Sequence, residues 1–142
     1  MFSGSSEHTV DSKGRIIIPS RYRDELGESF MITIGVDGCL FIYPMAKWED
    51  FVAELSALPG TAEARHFQRI ILANAVECET DKQGRVMIPQ SLRSKAKISK
   101  SIMLVGVINK IEIWDKDTWA ADNEIDDLSE IADHLSAFNL KF

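Results

Sequence analysis

The chain has few of the residues that build metal, cofactor and catalytic sites. It contains only two cysteines and three histidines in 142 residues, and neither type recurs at zinc-ligand spacing. Cys39 and Cys78 form no recognisable motif, so we expect buried thiols in a reducing compartment. Walker loops, dinucleotide fingerprints and nucleophile elbows are also missing. The sequence therefore predicts no catalytic residues, no metal and no cofactor, and the protein is not expected to be an enzyme.

Long apolar runs are missing as well. No stretch of the sequence is apolar enough to predict a transmembrane helix. The first residues, MFSGSSEHTVD, lack the basic segment followed by an apolar one that marks a secretory signal. We therefore expect a cytoplasmic protein with neither a membrane nor a small-molecule substrate as its partner.

Basic residues are outnumbered overall, but the charge is segregated. The net charge is −6, and residues 115–142 carry eight acidic side chains against Lys116 and Lys141. The body of the chain, residues 1–114, is neutral, and within it residues 11–23 sum to +3 and residues 81–97 to +4. Because the local potential governs binding, this distribution permits a polyanionic partner despite the acidic total.

Two segments of the chain repeat each other. Residues 11–23 read DSKGRIIIPSRYR and residues 81–93 read DKQGRVMIPQSLR, with six identities in thirteen positions. Two copies are too few for a solenoid, so we interpret them as a duplicated small domain whose copies pack together. We place four units along the chain: a first repeat at 5–50, a helical linker at 51–74, a second repeat at 75–121 and an acidic C-terminal helix at 122–142.

Each copy predicts the same order of elements. An Asp-x-x-Gly turn follows a short strand, and an apolar strand then ends at a proline that suits the start of a short helix. These helices are expected at Ser20–Leu26 and Gln90–Ala96, and a hairpin follows each. Asp37-Gly38 is a strong hairpin signal, and the aligned Asn109 predicts a left-handed turn in the second copy. The fold class is mainly β with appended helices (α+β).

Further helices are predicted outside the repeated core. Apolar residues at helical spacing from Trp48 to Leu58 predict one helix, and Thr61 is a good N-cap for the next. Asp115 is expected to cap a helix through Trp119, and a final amphipathic helix is indicated from Ile125 to Phe138. The large aromatic residues are interpreted as core or subunit-interface residues.

The twin DSKGR and DKQGR motifs, each followed by Ile-Pro, resemble the SpoVT-AbrB (swapped-hairpin) fold. Two copies in one chain, with GVINKIEIW in the second, closely resemble the MraZ family over nearly all of the chain up to about Trp119. The resemblance implies two interlocked β-barrel half-units packed as an intramolecular pseudo-dimer. It also implies a sequence-specific DNA-binding transcriptional regulator of the division and cell-wall gene cluster, including its own promoter. Binding of short direct repeats as a ring-shaped homo-oligomer in the nucleoid is implied too.

Candidate site residues lie on the two basic loops. An arginine fork can pair bidentately with guanine or with a phosphate, and lysines on the same loops would contact phosphates. The candidate DNA-binding residues are Lys13, Arg15, Arg23, Lys82, Arg85 and Arg93. The residues expected to shape the loops are Asp11, Gly14, Asp81 and Gly84. One alternative is that Arg15 only pairs with Asp11 to fix the turn, and another is that Arg23 and Arg93 are solvated helix-face charges.

Two other functions compete with DNA binding. An AbrB-like antitoxin or protein-interaction module is the first, although antitoxins of this type typically carry one copy and a disordered arm. An enzyme is the second, because Asp11 with His8, or Glu77 and Glu79 with Asp81, bring titratable groups together. Strand and turn roles account for those residues, so DNA binding remains the leading hypothesis.

Overall fold

A computed structural model of the chain describes residues 1–141. The first copy comprises β1 (Ser5–Thr9), β2 (Arg15–Ile17), α1 (Ser20–Leu26), β3 (Ser29–Ile34), β4 (Leu40–Pro44) and α2 (Met45–Ser56), and α3 (Ala62–Ala73) follows it. The second copy comprises β5 (Val76–Glu79), β6 (Arg85–Met87), α4 (Gln90–Lys95), β7 (Ser101–Val107), β8 (Lys110–Asp115) and α5 (Lys116–Asp122). Helix α6 (Leu128–Leu135) and a 3-10 turn at Ser136–Phe138 complete the described chain.

The two copies exchange strands. The larger sheet is antiparallel with the order β1-β7-β8-β4-β3-β5, so the first strand of each copy pairs with the hairpin of the other. Strands β2 and β6 form a separate antiparallel pair. This arrangement confirms the predicted pseudo-dimer and the mainly antiparallel fold with appended helices.

The larger sheet is open, which corrects the barrel that the resemblance implies. β1 and β5 lie at its two edges, each with one hydrogen-bonded neighbour. The chain leaves this sheet at the turn after β1 and again after β5, and the next strands, β2 and β6, pair with each other. Because β2 and β6 do not bridge the edges, the sheet does not close.

A core shared by both copies holds the β2–β6 pair against the larger sheet. The core residues that lie on β2 and β6 or immediately after these strands are 2% exposed or less: Ile16, Ile18, Val86 and Ile88. A second cluster, rich in aromatic residues, lies under α2, α3 and α5 and includes Tyr43, Trp48 and Trp114. These three aromatic side chains are therefore buried, as expected from their size.

Local chemistry explains several of the helix ends. Thr61 Oγ1 accepts a hydrogen bond from the Ala64 N–H at the start of α3, and Asp115 accepts one from the Thr118 N–H at the start of α5. Gly27 ends α1 with a φ of 78°. Within the core, the buried hydroxyl of Thr33 on β3 donates to the Ile71 carbonyl at 2.7 Å, which ties α3 to the sheet.

Two sequence predictions of local structure differ from the fold. The left-handed residue of the β7–β8 turn is Ile108, with a φ of 63°, and the prediction for Asn109 was wrong. Ile108 exchanges two backbone hydrogen bonds with Phe2, and this bridge from the N-terminus shifts the turn by one residue. The last helix begins at Leu128, so Ile125 lies outside it. Among residues 1–141, no helix has the length and hydropathy needed to cross a bilayer.

Candidate nucleic-acid interface

The two Asp-x-x-Gly-Arg loops have the same hydrogen-bond geometry. Asp11 Oδ1 accepts from the backbone N–H groups of Lys13 and Arg15, both at 2.9 Å. In the second copy, Asp81 Oδ1 accepts from Gln83 and Arg85 at the same distances. Gly14 and Gly84 adopt φ values of 80° and 75°, which L side chains rarely adopt. The carboxylate and the glycine together therefore define the turn that presents each arginine.

Each aspartate also orients its arginine. Arg15 Nε donates to Asp11 Oδ2 at 2.7 Å, and Arg85 Nε donates to Asp81 Oδ2 at 2.8 Å. The side chains of Arg15 and Arg85 are 28% and 29% exposed. Their Nη1 and Nη2 atoms have no hydrogen-bond partner among the residues that the structure describes. The ion pair therefore fixes the guanidinium by one edge and leaves the two terminal nitrogens for a ligand.

The loop geometry keeps the carboxylates ionised. The hydrogen bond from the Arg15 backbone N–H is the main reason why the pKa of Asp11 falls from 3.8 to about 2, and the Arg15 side chain and the Lys13 N–H contribute. The pKa of Asp81 is lowered for the same reasons, with the Arg85 backbone N–H first. Both carboxylates are thus ionised at neutral pH, and each continues to accept the hydrogen bonds that hold its arginine.

The β2–β6 pair brings the two loops onto one surface. Arg15 lies opposite Met87, and Ile17 lies opposite Arg85, so both arginines stand on the outer face of the pair. Backbone hydrogen bonds lock the loops together: the Ile18 N–H donates to the Gly84 carbonyl and the Ile88 N–H to the Gly14 carbonyl, each at 2.9 Å. We call this two-stranded surface with its loops, residues 11–18 and 81–88, the basic ribbon.

Arg23 and Arg93 each reach the loop of the other copy. A Cβ atom placed on Gly14 would lie 2.7 Å from Cζ of Arg93, and one placed on Gly84 would lie 2.6 Å from Nη1 of Arg23. Arg93 is anchored there, because its Nε donates to the Ile88 carbonyl at 2.9 Å. Arg23 is exposed and makes no side-chain hydrogen bond within residues 1–141. Each loop therefore combines arginines from both copies.

This exchange of arginines between the copies is not predictable from the sequence. Arg23 and Arg93 share the same spacing in the two motifs, which marked them as candidates on their own short helices. Which loop they reach depends on the cross-pairing of β2 with β6, a long-range feature that periodicity does not reveal.

Other basic residues lie on or away from the basic ribbon. Lys13 and Lys82 are exposed on the two loops, at positions that are not equivalent in the motif. Arg21 instead stacks over the Tyr22 ring at 4.7 Å, and Arg65 Nη1 donates to the Gly60 carbonyl. The positive surface is thus centred on the loops and on the two crossing arginines.

The thiols are separate from this surface. Burial is the main reason why the pKa values of Cys39 and Cys78 rise to about 12 and about 11, so both remain protonated at neutral pH. Cys39 is buried, as predicted, whereas Cys78 on β5 is only partly covered. In the described part of the chain, no group of three or more histidine, cysteine or acidic side chains is placed to hold a metal ion.

Comparison with known proteins identifies relatives over the whole chain. A family model described as "MraZ protein, putative antitoxin-like" matches residues 1–70 and again residues 71–136. The chain is 54% identical over 142 residues to the transcriptional regulator MraZ of Lachnoclostridium phytofermentans, covering all of both proteins. It is 50% identical over 143 residues to that of Caldanaerobacter subterraneus subsp. tengcongensis, covering 99% of this chain and 100% of the relative. With that of Pediococcus pentosaceus, identity is 46% at the same coverage. Two matched domains and full-length relatives show that this chain belongs to the MraZ family.

Proposed function

We propose that this protein is a transcription regulator that binds double-stranded DNA sequence-specifically through the basic ribbon. Membership of a family whose relatives are named transcriptional regulators supports the general class of function. The observation that carries the proposal is the position of Arg15 and Arg85. They stand on one outer face, each held by an aspartate and each with its terminal nitrogens unpaired within the described chain.

The arrangement suits base recognition in the major groove. A two-stranded β ribbon fits this groove, where guanine offers O6 and N7 to a bidentate arginine. Because Asp11 and Asp81 already fix the Nε edges, less side-chain freedom is lost when Arg15 and Arg85 bind. The aspartates thus act as positioning residues, and pairing with Asp11 is compatible with a DNA contact by Arg15.

The remaining basic residues are assigned to the DNA backbone. Lys13 and Lys82 are exposed point charges on the loops, suited to phosphate contacts and counterion release. Arg23 and Arg93 lie against Gly84 and Gly14, so their guanidinium groups add positive charge to the same two loops. Contacts of this kind set the register of a protein on the duplex and carry no direct sequence information.

One ribbon covers little DNA, which favours a multivalent mode of binding. Each ribbon strand has three residues and spans roughly 10 Å, or about three base pairs. We therefore propose that a ring-shaped homo-oligomer binds successive short direct repeats and gains affinity by avidity. The exposed apolar residues of α6, Leu128, Ile131 and Leu135, support further association, since a helix of eight residues is marginal without a packing partner.

The proposed target is the chain's own promoter within the division and cell-wall gene cluster, bound at the nucleoid in the cytoplasm. The test is a mobility-shift titration, across a salt series, with the DNA upstream of the chain's own gene. The double variant Arg15→Ala/Arg85→Ala is compared with wild type, and Arg65→Ala on α3 is the matched control. We expect selective, salt-sensitive binding by wild type and the control, and loss of selective binding in the double variant.

Two results would contradict this proposal. One is the absence of selective binding by wild type at every salt concentration, and the other is unchanged affinity and salt slope in the double variant. The multivalent part has its own test, in which the spacing of the DNA repeats is changed by half a helical turn. Binding should weaken, and indifference to spacing would refute the avidity mechanism.

A protein-interaction or antitoxin-like role is the second candidate. The family description contains the words "antitoxin-like", and the apolar side of α6 is exposed. Copurification of a second protein in a fixed ratio, lost when Leu128, Ile131 and Leu135 are changed to serine, would favour this role.

A further inference from the structure

Two large apolar side chains stand exposed in the middle of the basic ribbon. Ile17 is 54% exposed and Met87 is 53% exposed. The alternate positions on the same strands point into the core: Ile16 and Val86 are 2% exposed or less. Since successive side chains of a strand point to opposite faces, Ile17 and Met87 share the outer face with the arginines.

The register interleaves these apolar side chains with the arginines. Met87 lies directly opposite Arg15, and Ile17 lies directly opposite Arg85. Each arginine therefore has an apolar neighbour two positions along its own strand and another across the pair. The duplication places this arrangement twice on the ribbon, related by its pseudo-twofold symmetry.

Nothing in the described fold uses Ile17 or Met87 for packing. Neither belongs to the two apolar clusters of the molecule. Single exposed apolar residues are common on protein surfaces and need no explanation. Two at equivalent positions, each beside an aspartate-held arginine, form a mixed surface of the kind that meets base edges, where hydrogen-bonding and apolar groups alternate.

We propose that Ile17 and Met87 are specificity-determining residues that contact the methyl groups of thymines next to the bases read by Arg15 and Arg85. The inference rests on the proposed function and adds to it. The C5-methyl of thymine is the apolar group that the four DNA bases display in the major groove. An apolar side chain that enters the groove beside the arginines contacts either this methyl group or a polar base edge. A polar base edge covered by an apolar side chain is left without a hydrogen bond.

The geometry limits which base pairs are involved. Ile17 and Met87 are diagonal neighbours on the antiparallel pair, about 7–8 Å apart. This separation corresponds to roughly two base-pair steps of 3.4 Å. The two side chains also differ in stiffness, because isoleucine is β-branched and methionine has three rotatable bonds. Ile17 is therefore the stricter of the two, and Met87 tolerates more variation at its base pair.

The test removes the methyl groups from the DNA. The probe is a duplex from the region upstream of the chain's own gene, in which each thymine is replaced singly by deoxyuridine. Affinity is measured for wild type, Ile17→Ala and Met87→Ala, with Met87→Leu as the conservative variant. Val36→Ala is the matched control, because Val36 is 61% exposed but lies between β3 and β4, off the ribbon.

For wild type we expect two sensitive thymines, about two base pairs apart, each lowering the affinity about fourfold when demethylated. This factor corresponds to the ~0.8 kcal/mol gained by burying one methylene-sized group. In Ile17→Ala one of these positions becomes insensitive, and in Met87→Ala the other does. The control keeps the wild-type pattern, and Met87→Leu retains sensitivity at the Met87 position.

Several results would overturn the inference. The inference is contradicted if wild type binds the promoter selectively but no deoxyuridine substitution changes its affinity. That result would leave the proposed function intact. Equal deoxyuridine costs in wild type and both alanine variants contradict the inference as well. So does a loss of oligomer mass in Ile17→Ala, measured by light scattering, without a changed deoxyuridine pattern. Absence of any selective binding by wild type would remove the proposed function and this inference with it.

Discussion

Replacing Gly14 with alanine should damage both the stability of the chain and its binding surface. Gly14 has a φ of 80°, and a Cβ atom there would lie 2.7 Å from Cζ of Arg93. Two costs follow from these facts. The alanine is strained in the left-handed region, and the Arg93 guanidinium must move away from the loop.

The two costs are of similar size. Left-handed strain of about 1–2 kcal/mol is partly offset by the ~0.4–1 kcal/mol by which alanine lowers the entropy of the unfolded chain, which leaves about 1 kcal/mol. Moving Arg93 also breaks its 2.9 Å hydrogen bond to the Ile88 carbonyl, worth about 0.5–1.5 kcal/mol. We therefore expect Gly14→Ala to lower the free energy of unfolding by about 2 kcal/mol.

The chain offers a matched control in Gly38, in the turn between β3 and β4. This residue has a φ of 88°, and nothing lies within 4 Å of a Cβ atom placed on it. Gly38→Ala should therefore show only the strain of the positive φ, a loss of about 1 kcal/mol, with DNA affinity unchanged. Urea unfolding and promoter binding of both variants are the assays. Equal stability losses in the two variants, or intact DNA binding by Gly14→Ala, would refute the assignment of Arg93 to the loop of the first copy.

Two further predictions concern titration and packing. The pKa of Asp11 is about 2 in the folded chain against an ordinary 3.8, so its contribution to stability is complete above pH 3.8 and is lost as pH falls toward 2. The free energy of unfolding, measured by urea denaturation, should therefore fall less steeply between pH 5 and pH 2 in Asp11→Asn than in wild type. An unchanged pH dependence would show that Asp11 does not contribute to this fall. Thr33→Val should lower the free energy of unfolding by about 1–3 kcal/mol, because the buried Ile71 carbonyl loses its donor. Thr33→Ser keeps the donor, so equal losses in the two variants would refute this reasoning.

Local chemistry made much of the fold predictable. Proline before a polar residue marked the start of α1, and the Ser20–Leu26 prediction matches the structure. Thr61 and Asp115 were recognised as caps because their side chains compete for free backbone N–H groups. The left-handed turn at Ile108 is not predictable locally, because the backbone of Ile108 bonds to Phe2 at the far end of the sequence. Local propensity carries no information about such a contact.

The candidate site was predictable only in part for the same reason. The duplicated motif identified the residues of both loops, including the aspartates that hold Arg15 and Arg85. The pairing of β2 with β6 decides that the two arginines share one face and that Arg23 crosses to the other loop. β2 and β6 lie seventy positions apart in the sequence, and they pair only when the core shared by both copies has formed. The same register places Ile17 and Met87 beside the arginines on the outer face, which the sequence pattern does not show.

Arg15 and Arg85 are proposed to read bases while the surrounding cations contact phosphates. The salt dependence of binding by Arg15→Lys/Arg85→Lys, measured on promoter DNA and on unrelated DNA, separates these two roles. Lysine keeps the charge but lacks the fork, and each bidentate pair is worth about 1–3 kcal/mol of discrimination. We predict an unchanged salt slope, with preference for the promoter reduced about fivefold or more for each arginine. Full retention of that preference in the double lysine variant would show that neither arginine reads a base through its fork.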